Sequence, residues 1–170
     1  QTFLFIDGKH LTTAGQTIAA DYEYSLLTAP SKISLLAETA IQNSFSRSAT
    51  IQRQVELSGQ DRGPKKTNGW VSAGYGYSKT ESESYFPSAS GNPFQGTAGA
   101  DYLTDSGFIL GGALTAGTQS QEFSSGGDFD QDEQTISLYS AYNGNQFWGN
   151  IVASYGILQN DINRSVKLGI

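Results

Sequence analysis

The chain has no cysteine and no methionine, one histidine and only four prolines in 170 residues. Without cysteine there is neither a disulfide framework nor a thiolate site. No apolar run approaches the ~18 residues that a membrane-spanning helix needs. That excludes a helical membrane protein but not a β-barrel, whose strands bury only alternate residues. Cations are scarce too: ten Lys and Arg stand against sixteen Asp and Glu, a formal net charge of −6. This balance argues against a nucleic-acid partner, since binding a phosphate backbone needs clustered positive charge; Lys65–Lys66 is too small a patch. The segment Gln1–Ile6 is too short for a signal peptide and has no basic flank.

What is abundant is glycine, 20 residues, and aromatic side chains, 12%. From Gly69 onward they fall into one pattern, about ten residues of alternating apolar and small or polar side chains followed by a turn. Strands are expected at Trp70–Ser78, Phe94–Leu103, Phe108–Gly117, Thr135–Tyr142 and Phe147–Ile157, with a sixth beginning at Ser165. The connections alternate in length. Lys79–Pro93 and Thr118–Gln134 are long; Thr104–Gly107 and Asn143–Gln146 are short. One face carries Val71, Ala73, Tyr75 and Tyr77, then Phe94, Ala98, Ala100 and Tyr102, then Phe108, Leu110, Leu114 and Ala116, then Ile136, Leu138 and Tyr142, then Ile151, Ala153, Tyr155 and Ile157. No charge falls on that face; Asp101 and Lys167 lie on the other. A soluble β-sandwich also alternates. Aromatic residues at strand ends and a small, polar opposite face favour a mainly β, antiparallel transmembrane β-barrel.

Residues 1–57 read as helical after a short apolar run, Gln1–Ile6, that suits the end of a strand. Thr13 and Gln16 fit a capping box. Ala14, Ile18, Tyr22 and Leu26 then share a face of a helix expected to stop before Pro30. Ser31 would cap a second helix with an apolar stripe of Ile33, Leu36, Ala37, Ala40, Ile41 and Phe45. Beyond Phe45 that stripe fails, and a helix polar on nearly all sides is either free in water or inside something wet. From Ser31 to Gln54 it would span roughly 35 Å, enough to thread a barrel, with Arg47 and Arg53 facing lumen acids such as Asp101.

A polar helix, a short break at Ser58–Asn68 and amphipathic strands together resemble the translocator of autotransporters, the type V secreted proteins of Gram-negative bacteria. Asn163–Gly169 is also similar to autotransporter strand sequence. The resemblance implies a twelve-stranded barrel, of which about six strands would be present here, with a helix through the lumen. It implies location in the outer membrane, contact with outer-membrane lipid and insertion by the barrel-assembly machinery. An exported protein needs a leader, so the chain reads as an interior piece of a longer precursor.

The sharpest local signal is Asp7–Gly8–Lys9–His10–Leu11–Thr12. An Asp three residues before a His can bring both side chains to one centre, the His as general base toward a serine hydroxyl and the Asp fixing its tautomer. A surface turn with an incidental His is the plain alternative. The segment from Phe5 through Gln16 to Asp21 closely resembles the last block of GDSL-type (SGNH) esterases and lipases, with Leu11 in place of the usual Pro and Gln16 where a second His is common. That resemblance implies that Asp7 and His10 are two members of a catalytic triad whose serine and oxyanion donors lie outside this chain. The parent would be an ester hydrolase acting on an ester or lipid substrate, and this fragment alone would be inactive. No cofactor and no metal is expected. Asp128, Asp130 and Asp132 repeat at every second residue as calcium loops do, but the accompanying Gly and Glu of such a loop are not at the right offsets, and a solvated acidic loop is the better reading.

The expected organisation is therefore 1–30, the end of an esterase passenger; 31–57, a linker helix through the pore; and 58–170, the first part of the barrel. The alternative function is a non-enzymatic porin- or adhesin-type barrel with an incidental Asp-x-x-His.

Overall fold

The computed structural model describes residues 3–60, 67–81, 88–143, 147–166 and 168. One helix, α1 (Thr13–Gln60), precedes seven strands: β1 (Thr67–Tyr75), β2 (Ser78–Thr80), β3 (Ala89–Gly91), β4 (Phe94–Leu103), β5 (Phe108–Phe123), β6 (Gly127–Asn143) and β7 (Trp148–Arg164). All pairings are antiparallel, β1–β4, β4–β5, β5–β6 and β6–β7 forming a meander. The short β2–β3 hairpin extends it, because β3 pairs with the far end of β5. Thus β3 and β4 are one long strand interrupted at Asn92–Pro93, where proline has no N–H to donate to a ladder; the Gly76 N–H donates to the Pro93 carbonyl at 3.0 Å across the break. Among the described residues the sheet does not close, and β1 and β7 each have one strand neighbour.

The faces fall as period-two alternation requires. Val71, Leu110, Leu114, Ile136, Leu138, Ile151, Tyr155 and Ile157 are exposed on the outside. Thr97, Asp101, Thr115, Gln119, Gln131, Glu133, Thr135 and Ser137 are buried on the inside, under α1. An inverted distribution of this kind, apolar out and polar in, suits a wall between lipid and a wet lumen. No described helix is long and apolar enough to cross a membrane.

Several expectations need correction. The stretch Thr118–Gln134 is not a loop. β5 and β6 continue through it, in register from Thr118↔Asp132 to Glu122↔Asp128, and turn only at Ser124–Gly126. There Gly126 (φ 88°) and Gly127 (φ 98°) take left-handed conformations that side chains disfavour. Polarity on both faces hid these strand ends, since above the lipid there is no apolar face to alternate with. The fifth strand likewise continues to Arg164, so Asn163–Arg164 closes β7. The sixth strand expected at Ser165 is not formed by Ser165 or Val166; Lys167, Gly169 and Ile170 lie outside the described residues. Lys65–Lys66 also lie outside them, as do Gln1 and Thr2 of the expected strand end, and residues 3–6 contribute an isolated Phe5↔Leu11 bridge.

The helix is single, not double, and runs through Pro30. Proline deletes the hydrogen bond to the Leu26 carbonyl, but the neighbouring turns are held otherwise. Hydroxyls donate from Thr28 to the Tyr24 carbonyl (2.9 Å) and from Ser31 to the Thr28 carbonyl (2.7 Å), and Arg164 donates to the Ser25 carbonyl (3.2 Å). The cap is Thr12 rather than Thr13: its Oγ1 accepts from the Gly15 N–H at 3.1 Å. The apolar stripe packs on the sheet only in part, through Leu36 and the half-buried Ala40. Ile33, Ile41 and Phe45 are exposed, whereas Lys32, Leu35, Thr39, Arg47, Ile51 and Val55 are buried. With the half-buried Asn43 between Thr39 and Arg47, these recur every three to four residues, one helix face. The buried face mixes polar and apolar groups as the inner wall does: Leu35, Ile51 and Val55 meet its apolar clusters, and Arg47 meets Glu133, because buried polar groups must find partners.

Candidate functional site

Two places carry chemistry, the lumen contacts of α1 and the turn before it. Near the short-turn end, Ile51 and Val55 pack with Trp70, Ile109, Ala113, Tyr139 and Ala141. Within this cluster the Trp70 indole N–H donates to the Tyr139 hydroxyl (2.9 Å), which donates to Asp101 Oδ2 (2.9 Å). The two rings rest on glycines. A Cβ at Gly99 would meet the Trp70 ring at 2.6 Å, and one at Gly111 would collide with the Tyr139 ring. One turn or more along the helix, Arg47 pairs with Glu133, side chains 8% and 4% exposed. Glu133 also accepts from Thr135 Oγ1 at 2.7 Å, and Arg47 donates to Ser44 Oγ at 3.1 Å. Gln131 then bridges α1 and β7, donating to the Leu36 carbonyl (3.3 Å) and to Asn160 (2.7 Å). At the far end Lys32 donates to the Gly126 carbonyl at 3.0 Å and lies 5.1 Å from the Phe123 ring. Leu35 packs there with Ala89, Phe123 and Phe129. The helix therefore enters at the tip of the β5–β6 hairpin and ends beside the short turns.

Beside the helix a cavity of about 500 Å³ remains, lined by Ser46, Thr50, Arg53, Ser72, Gly74 and Gln119 among others. Small side chains on β1 leave this gap, whose lining is mixed, Tyr75 and Phe94 beside Arg53 and Gln119.

Asp7 and His10 do meet. The carboxylate lies 2.8 Å (Oδ2) and 3.0 Å (Oδ1) from His10 Nδ1, and Oδ1 also accepts the backbone N–H groups of Lys9 and His10, both at 2.8 Å. The His10 side chain and these two amides hold the carboxyl below its ordinary value of 3.8. The turn is short for physical reasons. The Ile6 N–H donates to the His10 carbonyl (2.8 Å) and the Thr12 N–H to the Leu4 carbonyl (3.0 Å), closing the loop. Thr12 Oγ1, besides capping α1, donates to the Phe3 carbonyl at 2.7 Å. Gly15 lets that loop lie directly on the first helical turn, since a Cβ there would strike the Leu4 carbonyl. With Nδ1 on the carboxylate, Nε2 is the ring nitrogen available to a further group, and the imidazole is 76% exposed. Phe3, Leu4, Phe5 and Ile6 beside it are exposed as well.

Arg47 thus reaches Glu133 rather than Asp101, while Arg53 is exposed and lines the cavity. Asp130 and Asp132 point outward from β6, and Asp128 lies beside Asn163 at 3.2 Å. No group of three metal-binding side chains occurs among the described residues. The sequence reading missed Glu133, Tyr139, Trp70 and Lys32. Trp70 was detectable as the one large side chain on the small face of β1. Glu133 needed the knowledge that β6 begins before Thr135.

Residues 69–170 match the autotransporter beta-domain. Over 98% of its length the chain is 29% identical to esterase EstA of Pseudomonas aeruginosa, and to the same degree to esterase EstA of Pseudomonas putida. It is 27% identical, again over 98% of its length, to an uncharacterised protein from the trpE-trpG intergenic region of Pseudomonas putida. It spans 26–28% of the length of these curated relatives.

Proposed function

This chain belongs to the autotransporter β-domain family, and from that premise we propose that it anchors a surface-displayed GDSL-type serine esterase and carries two of its three triad residues. As a member of that family it is a translocator domain of the outer membrane. On our reading residues 1–30 end the esterase passenger, 31–57 are the helix through the pore, and 58–170 open the barrel. The observation that carries the esterase reading is the Asp7–His10 contact, three N–H donors on one carboxylate at the capped start of α1. The name of the EstA relatives, aligned across nearly the whole chain, supports it.

In this mechanism Asp7 accepts a hydrogen bond from the Nδ1–H of His10, which holds the proton on Nδ1 and leaves Nε2 unprotonated. Nε2 takes the proton of a serine hydroxyl supplied by the rest of the parent protein as that oxygen attacks an ester carbonyl. Asp7 then stabilises the imidazolium, which returns the proton to the leaving alcohol. The backbone amides on Asp7 keep it ionised, and its geometry is fixed before substrate arrives. The helix enters from the cell surface, so the hairpin tip at Ser124–Gly126 is outside and Thr104–Gly107 is periplasmic. In lipid the free edges of β1 and β7 are costly; we assign their pairing to further strands of the parent, joined on the barrel-assembly machinery.

The test is hydrolysis of a nitrophenyl ester. The parent protein turns it over, and the variant His10→Ala loses at least 1,000-fold in kcat, on the order of what triad members contribute. The isolated chain is inactive. A parent equally active with alanine at Asp7 and His10 would leave a barrel with an incidental pair.

A further inference from the structure

We infer that the enzyme takes its ester from the aqueous side or from an opposing surface, and not from the leaflet in which it is anchored. The inference rests on the esterase reading above and on one geometric fact, the unbroken helix that joins the Asp7–His10 turn to the barrel. Both ends of the relevant stretch are fixed. At the lower end Lys32 and Leu35 are buried against Gly126, Phe123 and Phe129, and Arg164 of β7 reaches the Ser25 carbonyl. At the upper end Thr12 caps the helix and bonds the Phe3 carbonyl, and Gly15 seats the loop on the first turn. The pair therefore moves only as the helix moves.

Its height follows from residue spacing. Lys32 meets the tip of the β5–β6 hairpin, and Thr13 lies nineteen residues up the same helix; at 1.5 Å per residue that is about 28 Å. The tip itself stands clear of lipid. The outer face of β6 changes from Leu138 and Ile136 to Gln134, Asp132 and Asp130, and that of β5 from Leu114 and Ala116 to Thr118, Ser120 and Glu122. The seven residues from Gln134 to Gly127 rise about 23 Å along the strand, or about 17 Å normal to the membrane at the usual barrel tilt. The catalytic pair thus sits roughly 45 Å above the edge of the apolar band. The exposed Tyr22, Tyr24, Leu26 and Leu27 along the intervening helix are where a passenger body would pack, filling that space. A lipid of the same leaflet would have to leave the bilayer whole to bring its ester bond to His10, and every methylene withdrawn opposes that. A short-chain ester, or a lipid presented by a micelle or another membrane, needs no such transfer.

The experiment uses the full parent protein in vesicles with the helix start outward. A water-soluble nitrophenyl butyrate and a fluorogenic acyl lipid are compared, the lipid placed either in the same vesicles or in separate protein-free ones. The soluble ester is hydrolysed, and lipid in separate vesicles is hydrolysed at a rate proportional to their concentration. Lipid in the same bilayer reacts at least 100-fold more slowly than the soluble ester at high dilution. Same-bilayer hydrolysis independent of dilution and within tenfold of the soluble rate overturns the inference. A fluorophore on Thr17→Cys, with any native cysteine of the parent replaced by serine, reports height without activity. Its energy transfer to acceptor lipids is expected to be far weaker than that from Asp132→Cys, and equal transfer overturns the inference. A protein inactive on every ester refutes the esterase reading while the transfer measurement still decides the height. A ten-residue Gly/Ser insertion after Ala29 frees the pair from the latch, and same-bilayer hydrolysis should then rise at least tenfold; no rise overturns the inference.

Discussion

The pair Arg47–Glu133 offers the most demanding test of how the helix is held. An ion pair on a protein surface is worth about 0–1 kcal/mol because water and salt screen it. Here the two side chains are 8% and 4% exposed, and Thr135 and Ser44 supply further hydrogen bonds. Removing one partner from such a site leaves the other charged, desolvated and unpaired, which costs about 3–5 kcal/mol. Arg47→Met strands Glu133, and Glu133→Gln strands Arg47. In the double variant no charge remains. Gln at 133 still accepts from Thr135, and the methionine stem fills most of the volume, so the net change falls to about zero, since replacing a buried ion pair by uncharged groups of similar volume is often neutral. The coupling energy is then about 6 kcal/mol or more, the sum of the two single losses, beyond what contacting residues usually show. The assay is urea unfolding of the full protein in detergent, followed by the loss of heat-modifiable mobility, for all four members of the cycle. Single variants that each cost under about 0.5 kcal/mol, with additive effects, would mean that lumen water screens the pair as a surface would, and would refute the reasoning.

Gly111→Ala sets a methyl group against the Tyr139 ring and should destabilise by about 1–3 kcal/mol, the usual range for overpacking; Gly74→Ala, whose Cβ meets nothing within 4 Å, should not, and the same urea series compares them. Because the Asp7 carboxyl titrates lower in the folded turn than its ordinary 3.8, its contribution is complete above that value and fades as pH falls through the folded one. An NMR titration of the Asp7 carboxyl in the parent should therefore find a midpoint below 3.8; a midpoint at or above it contradicts the hydrogen-bonded turn. Protease added to intact cells should spare Thr118–Phe123 and Gly127–Gln134, which are paired strand, and cut at most the tip between them. Ready cutting along both arms would return that stretch to a loop.

The alternation of Phe94–Leu103 and Phe108–Gly117 sufficed to tell which side chains face lipid, because a strand has a period of two and nothing else in the chain can change that parity. The Asp7–His10 contact was equally local: three residues apart across a tight turn, the two side chains have little freedom to miss each other. Where the outer face ceases to be apolar, at Gln134 and Thr118, the parity signal ends although the strands do not. Their continuation is decided by partner strands, through backbone hydrogen bonds that carry no composition. Pro30 read as a helix end for a sound local reason, and was overruled because Lys32 and Leu35 beyond it are buried against the hairpin. The apolar stripe promised a core, but of it only Leu36 and Ala40 approach the sheet while Ile33, Ile41 and Phe45 stay exposed, because Arg47 and Lys32 must face the partners that the wall offers. Which acid answers Arg47 depends on the register of β6 against a helix nearly a hundred residues earlier. A sequence specifies its own faces; only the packed structure decides which face meets which, since that choice depends on the chemistry of both partners at once.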